Sequence, residues 1–529
     1  MNSHKPLLAI SILLLLSSGV VQAHENEGTG QLGRVKFESS CDPKVQPLLE
    51  SGVAMLHSFW FSAGQKTFRD VLAQDPSCAI ANWGLAAILM SNPLAGQGAS
   101  PKNAAIAQTA IEQGRRVSPK TQRERDYIDA VAAYYEDWSN RPERARQQAR
   151  AKAFEELAAR YPNDDEAQIF SALYIAGTQS QADQTFAAYL RAAAILEKLF
   201  AKYPDHPGVA HYLIHSYDAP PIAQQGLPAA RRYASIAPAA PHALHMPSHI
   251  FTRVGAWEDS AATNARAAAV AKKSGEPDQA YHASDYMVYA YLQLGRDKDA
   301  RQAMEEAMKV TSGPQQSIPY AIAAMPARYA MERGAWREAM QLQAQSTRFP
   351  FTDAITHFAR ALGAARSGDI EAAEKDAEEL ARLHKALQDA KNNYWATEVE
   401  IQQLAVAGWI ALAQRRNDDA LKFMRASADL EDRNEKHIVT PGRIVPAREL
   451  LGEMLLELKQ PALALKEFEA SQVREPNRFR GYYGAALAAE AAGDRQKASA
   501  HYAKLVDLTK TADSARPELA RAKAYIAQR

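Results

Sequence analysis

The chain has 529 residues, 47% hydrophobic and 23% charged, with 62 Lys and Arg against 61 Asp and Glu for a net charge of +1. That length suits more than one hydrophobic core or one elongated repeat array. The evenly mixed charge makes no basic field, so neither nucleic acid nor an anionic membrane surface is an expected partner.

At the N-terminus, Lys5, an apolar run from Leu7 to Leu16 and the string SSGVVQA ending at Ala23 read as a signal peptide spanning 1–23. The apolar run is too short for an ordinary membrane span, and Val21 and Ala23 supply small residues at the cleavage positions. Cleavage after Ala23 predicts a periplasmic or secreted protein with no transmembrane segment in the mature chain. It also leaves His24 as a terminal residue whose amine and imidazole can chelate copper. Residues 24–44, including GTGQLG at 28–33, read as a flexible segment. In an oxidising compartment the two cysteines, Cys41 and Cys78, predict a disulfide that staples the first helical hairpin, with Cys78 as a metal ligand the competing reading.

From Val45 onward the pattern is short amphipathic helices rich in Ala, Leu and Glu, separated by Pro, Gly, Asn or Asp turns, with almost no alternating strand pattern. Predicted helices include 45–60, 65–74 and 78–90 at the start, 208–217, 242–254 and 280–293 in the centre, and 461–473, 478–492 and 511–527 at the end. One arrangement recurs at 68–89, 154–176 and 196–218: a helix, a Pro- or Asp-bearing turn, then a helix with small residues. The stretch 457–509 carries Pro461, Ala464, Ala470, Pro476, Tyr483, Gly484, Leu487, Gly493 and Ala498 at matching places.

These units resemble tetratricopeptide repeats. The resemblance implies an all-α fold of helical hairpins stacked into a right-handed superhelical solenoid, and a concave groove that takes a peptide or protein partner. It divides the chain into an N-terminal and central array at 45–350 and a C-terminal array at 351–529. The strings LHSF at 56–59, DPSCAIANWG at 75–84, HPGVAHYLIHSYDAP at 206–220 and APAAPHALHMPSHIFTRVGAW at 237–257 further resemble a narrower group of exported bacterial repeat proteins. That group brings no known reaction with it.

No Walker loop, dinucleotide-binding glycine run, HExxH or nucleophile elbow is present. The chemistry concentrates between Asp205 and Tyr289, which holds seven of the fourteen histidines. On a helix, His211, His215 and Asp218 share one stripe, and His242, His245 and His249 share another. Imidazole nitrogens suit zinc, copper or nickel, and an i, i+4 pair offers two ligands to one ion. The expected metal ligands are His211, His215, His245 and His249, with His57 and His282 as alternates and zinc or copper as the metal. Asp218, Asp285 and Glu124 are the candidates to orient an imidazole or act as a general base on metal-bound water. The competing reading is a set of core histidines hydrogen-bonded between packed helices. Pro247 predicts a kink or a fresh helix start beside the paired histidines. The long segment 434–450 interrupts the helical rhythm and is expected to fold across the concave face, carrying His437, Arg443 or Glu449 toward a ligand.

The sequence therefore predicts an exported repeat protein that binds a divalent transition metal in a histidine-lined cavity, with a small molecule or peptide as the partner in the concave groove and a metal-dependent reaction on a small molecule as the activity such a site would support. A metal-free peptide- or protein-binding scaffold of the cell envelope and a metal carrier are the alternatives.

Overall fold

A computed structural model describes residues 31–96, 98–310, 313 and 317–528. The expected signal peptide at 1–23 and the His24 terminus lie outside the described residues. Among the described residues there are twenty-six α-helices and one 3-10 helix, and no strand. Each helix packs mainly on its neighbours in sequence, so the chain is an all-α helical repeat solenoid. No helix among the described residues is long and apolar enough to cross a membrane.

The stacking rests on a device used at both ends of the chain. Phe68 on the helix Phe61–Gln74 is clasped between Gly52 and Gly84, where an added Cβ would lie 2.9 Å and 2.2 Å from its ring. Phe468 on the helix Pro461–Arg474 is clasped by Gly452 and Gly484 at 2.7 Å and 2.3 Å. Both clasps share one spacing, since 68 − 52, 84 − 68, 468 − 452 and 484 − 468 all equal 16. Glycine on both flanking helices lets three helices close on one ring, which is the close approach a repeat stack needs.

The disulfide Cys41–Cys78 forms, tying the segment before the first helix to the N-cap of the helix Ala79–Leu89. Residues 31–44 differ from the expected flexible segment. Phe37 is fully buried and stacks on Trp83 at 5.0 Å, and Ser40 donates its N–H and hydroxyl to Glu124 at 2.7 Å and 2.6 Å. One large aromatic buried against the first repeats, together with the disulfide, holds this strap down.

The solenoid also closes on itself. Trp257 Nε1 donates to Asn477 O at 2.7 Å, Phe479 N donates to Gln293 Oε1 at 3.0 Å, and Arg516 pairs with Asp297. Asp513 accepts the N–H groups of Lys298 and Asp299, each at 3.0 Å, at the free N-terminal end of the helix Asp297–Met308. Negative charge there satisfies orphan donors and complements the helix dipole.

The segment between the helices Asn417–Asp432 and Ala447–Glu457 enters the interior, and from Asn434 to Val445 all but Arg443 are buried. A buried loop must find partners for its backbone, and this one does. Arg328 donates to Arg443 O at 2.6 Å and Gly442 O at 2.8 Å, while Tyr286 Oη reaches Ile438 O and Thr440 O. Tyr394 Oη donates to Glu435 O at 3.2 Å. The segment is thus a plug held by side chains from the surrounding helices.

Candidate metal centre

Six histidines meet inside the central repeats, on four helices: Pro207–Ser216, Pro241–His245, Pro247–Arg253 and Pro277–Gln293. Pro247 has no N–H to continue the first of the two middle segments, so the predicted single helix is broken at Met246. The six form two triads, His211 with His215 and His242, and His245 with His249 and His282. Within each triad the three candidate ligand atoms all lie within 4.8 Å of one another. Sequence spacing places His211, His215, His245 and His249 around one ion, whereas the fold separates the two helical pairs and gives each its own third imidazole.

In the first triad the Nε2 atoms of His211, His215 and His242 are buried and have no hydrogen-bond partner. The other nitrogens of His211 and His242 explain how those two rings are aimed. His211 Nδ1 donates to His57 O at 2.6 Å, and His242 Nδ1 donates to Gln279 Oε1 at 3.1 Å. With Nδ1 carrying the proton, each Nε2 presents a lone pair. In the second triad His245 Nδ1 donates to Asn264 Oδ1 at 2.7 Å, and the Asn264 amide is itself oriented by donating Nδ2–H to Ser260 O at 2.8 Å. His249 Nδ1 donates to Asp218 Oδ2 at 2.7 Å. His245 Nε2 and His249 Nε2 then face each other at 3.1 Å.

The imidazoles are neutral at neutral pH. Burial, reinforced by neighbouring imidazoles, holds His211, His215, His245 and His282 well below the ordinary histidine value, and burial takes His242 down to about 3. Burial also lowers His249, against the opposing pull of Asp218. Neutral imidazole is the form that ligates a metal.

Phe59, buried with a left-handed φ of 50°, packs its ring against His211 at 4.4 Å and His242 at 5.4 Å. A bulky residue in that region is strained and is retained only where its surroundings demand it. A cavity of about 330 Å³ adjoins, lined by His215 and His242 from one triad and His249 and His282 from the other. Ile438 and Val439 of the plug form part of its wall, and Glu276 and Asp278 line it as well. Burial pushes the Asp278 carboxyl up to about 7.

The remaining expected site residues fall in different places. Asp218 sits behind the second triad, accepting from His249 and from Arg253 Nε at 2.8 Å, with Lys436 Nζ at 3.5 Å. Burial opposes its ionisation, but Lys436, Arg253 and His249 together hold it well below the usual carboxylate range. It orients a ring and does not line the cavity. Asp285 pairs with the buried Arg328 at 3.2 Å, and burial raises its carboxyl to about 6. Glu124 is spent on the Ser40 strap. His57 has both nitrogens engaged, Nδ1 with Tyr212 Oη and Nε2 with Glu166, each at 2.9 Å, and contributes to the triads only through its carbonyl. His437 packs tilted against Trp395 at 5.2 Å and does not line the cavity beside the triads.

The helical period puts His242 on a stripe with His245 and His249, whereas the fold joins it to His211 and His215. Gln279, Asn264 and Lys436 are further residues of the site that the sequence does not single out. Gln279 and Asn264 are ordinary helix residues with no local signal, and the plug's passage through the interior is what brings Lys436 to Asp218.

No family model matches the chain, and no curated protein sequence matches it. Solved structures similar to it include the human IFIT1 dimer with PPP-AAAA, at 12% identity and TM-score 0.39, covering 82% of this chain and 91% of that one. Yeast Tom70 is similar at 12% identity and TM-score 0.31, covering 91% and 88%. The APC/C hetero-tetramer Cut9-Hcn1 is similar at 12% identity and TM-score 0.29, covering 91% and 95%.

Proposed function

We propose that this chain binds a transition metal, zinc or copper, in the histidine-lined cavity of an exported helical-repeat scaffold. The observation that carries the reading is the clustering of His211, His215 and His242, whose candidate ligand nitrogens all lie within 4.8 Å of one another and whose buried Nε2 atoms have no hydrogen-bond partner. A buried polar atom without a partner costs roughly 1–3 kcal/mol, and three in one cluster call for a shared occupant. Neutral imidazoles, oriented from behind by His57 O and Gln279, are the donor set such a metal takes. An ion held by these three residues would keep a coordination position free, and His215 and His242 line a cavity of about 330 Å³ with room for a small molecule, which favours chemistry on a bound ligand over a closed structural site. A metal held there would supply Lewis acidity, while the chain orients the ligating rings and Ile438 and Val439 of the plug wall the cavity.

The peptide-groove alternative is disfavoured because the segment from Asn434 to Val445 already fills the interior beside the site. The signal-like N-terminal sequence and the Cys41–Cys78 disulfide support a periplasmic or secreted location.

Elemental analysis of the full chain, stripped of metal and then titrated with zinc and with copper, tests the reading. The wild type is expected to retain metal through desalting, and the His211→Ala/His215→Ala double variant to lose it from the first triad. Less than about 0.1 equivalent in the wild type overturns the proposal, because a preformed neutral imidazole set holds metal far above that level.

A further inference from the structure

We propose that the two triads form one dinuclear centre, each holding its own metal ion and both ions opening onto the same cavity. The inference rests on the metal-binding reading above and goes beyond it in stoichiometry and in the coupling of the two ions.

The second triad calls for an ion independently of the first. His245 and His249 both commit their Nδ1 protons, to Asn264 Oδ1 and Asp218 Oδ2 at 2.7 Å each. Neither orientation is free to reverse, since Asn264 is pinned by Ser260 O and Asp218 has only acceptor atoms to offer. Two Nε2 lone pairs are left facing each other at 3.1 Å with no proton between them. Lone pairs at that distance repel unless a cation lies between them. Two imidazoles sharing a tetrahedral ion at roughly 2.0 Å from each nitrogen stand about 3.3 Å apart, so the pair is already close to ligating geometry. His282 completes this set, its ring centroid 4.3 Å from that of His245 and 6.1 Å from that of His249.

The first triad has its own need of an occupant, because its candidate ligand nitrogens form a separate cluster and its three buried Nε2 atoms are unpartnered. Yet the two sets adjoin. The rings of His215 and His249 lie 5.5 Å apart, and those of His242 and His245 lie 6.0 Å apart. His215 and His242 line the cavity from one side of this seam, and His249 and His282 from the other. One small ligand in the cavity therefore meets both ions, the arrangement that clamps two oxygen atoms of a reacting group in two-metal sites.

The donor chemistry narrows the ligand. Imidazole ligates as a neutral donor, so two divalent ions held by histidines bring a charge that the ligand set does not cancel. Asp218, the carboxylate behind the second triad, is already matched by Arg253 and Lys436. An anionic oxygen donor small enough to bridge the ions, such as hydroxide or the oxygens of a small oxyanion, supplies the missing charge from the cavity side.

Copper(II) loading of the metal-free full chain tests this without requiring any variant to fold. The expected result is two equivalents retained after desalting, with an electron paramagnetic resonance spectrum that integrates to clearly fewer than two spins and shows a half-field transition from a coupled pair. His242→Gln and His282→Gln are each expected to drop the content to one equivalent and restore an uncoupled single-ion spectrum. One equivalent in the wild type overturns the dinuclear centre and leaves the metal-binding reading standing. Two equivalents with two uncoupled spins overturn the shared centre, no retained copper overturns the dinuclear centre, and loss of zinc as well as copper on desalting overturns both readings.

Discussion

Replacing Arg328 tests whether the interior plug is held as the structure indicates. Arg328 is fully buried on the helix Ser317–Glu332 and donates to Arg443 O, Gly442 O and Thr440 Oγ1 at 2.6, 2.8 and 2.9 Å, and to Asp285 Oδ1 at 3.2 Å. Arg328→Met keeps much of the volume and removes all four bonds. Arg443 O, which is part-buried, loses its donor at about 1–3 kcal/mol, while Gly442 O keeps the Thr440 hydroxyl. Breaking a buried ion pair costs about 3–5 kcal/mol, but Asp285 relieves part of this by taking up a proton. The costs overlap, and the expected net loss of unfolding free energy is about 4–6 kcal/mol by urea denaturation.

The loss carries a pH signature. Burial already raises Asp285 to about 6 with Arg328 beside it, and without the guanidinium it rises further. A carboxyl whose folded value exceeds its unfolded value binds more protons folded than unfolded, so stability falls as pH rises through that window. In the wild type the window ends near 6, whereas in the variant it extends higher, so the gap between the two widens from pH 6 to pH 8. Adding Asp285→Asn should abolish the widening. A loss below about 1 kcal/mol, or a gap that does not change with pH, would refute this account of the plug.

Four further outcomes are expected. Burial takes the Lys436 ammonium from 10.5 to about 8, so the unfolded chain binds the extra proton between those values and wild-type stability rises with pH across them. Lys436→Met should therefore be the more stable protein at pH 7 by roughly 3 kcal/mol, with the advantage fading toward pH 10 in parallel urea titrations. Removing the disulfide with Cys41→Ala/Cys78→Ala opens a loop of sequence separation 37 and should cost about 4 kcal/mol, read as a lower thermal midpoint that reductant reproduces in the wild type. Asn264→Ala leaves His245 Nδ1 without its acceptor and should weaken metal at the second triad by roughly 10–100-fold in chelator competition, with the first triad unchanged. Gly84→Ala and Gly484→Ala drive a methyl to within 2.2 and 2.3 Å of Phe68 and Phe468, and each should destabilise by about 1–3 kcal/mol in chemical denaturation.

Local sequence settled the class of this protein. Helix-period apolar positions, the Pro and Asp turns and the 16-residue spacing of glycine and phenylalanine are properties of one or two neighbouring hairpins, so they are written where they act. The same holds for the pairs His211 with His215 and His245 with His249, since one turn of helix brings i and i+4 together whatever lies around them. With only Cys41 and Cys78 in the chain, one intramolecular bridge was available.

Which imidazole completes each pair was decided by the tertiary structure. His242 joins His211 and His215, and His282 joins His245 and His249, because adjacent repeats bring separate helices together at angles that no local period encodes. Glu124 and His57 show the same limit from the other side. Each is a plausible ligand or base by type, and each is claimed by a long-range partner, Ser40 for one and Glu166 for the other. The plug is the extreme case, with Tyr286 and Thr440 meeting across 154 residues. Closing so distant a contact depends on the accumulated curvature of the whole stack, and that sum, more than any stretch of sequence, brings Ile438 and Val439 of the plug to the wall of the cavity that His215, His242, His249 and His282 line.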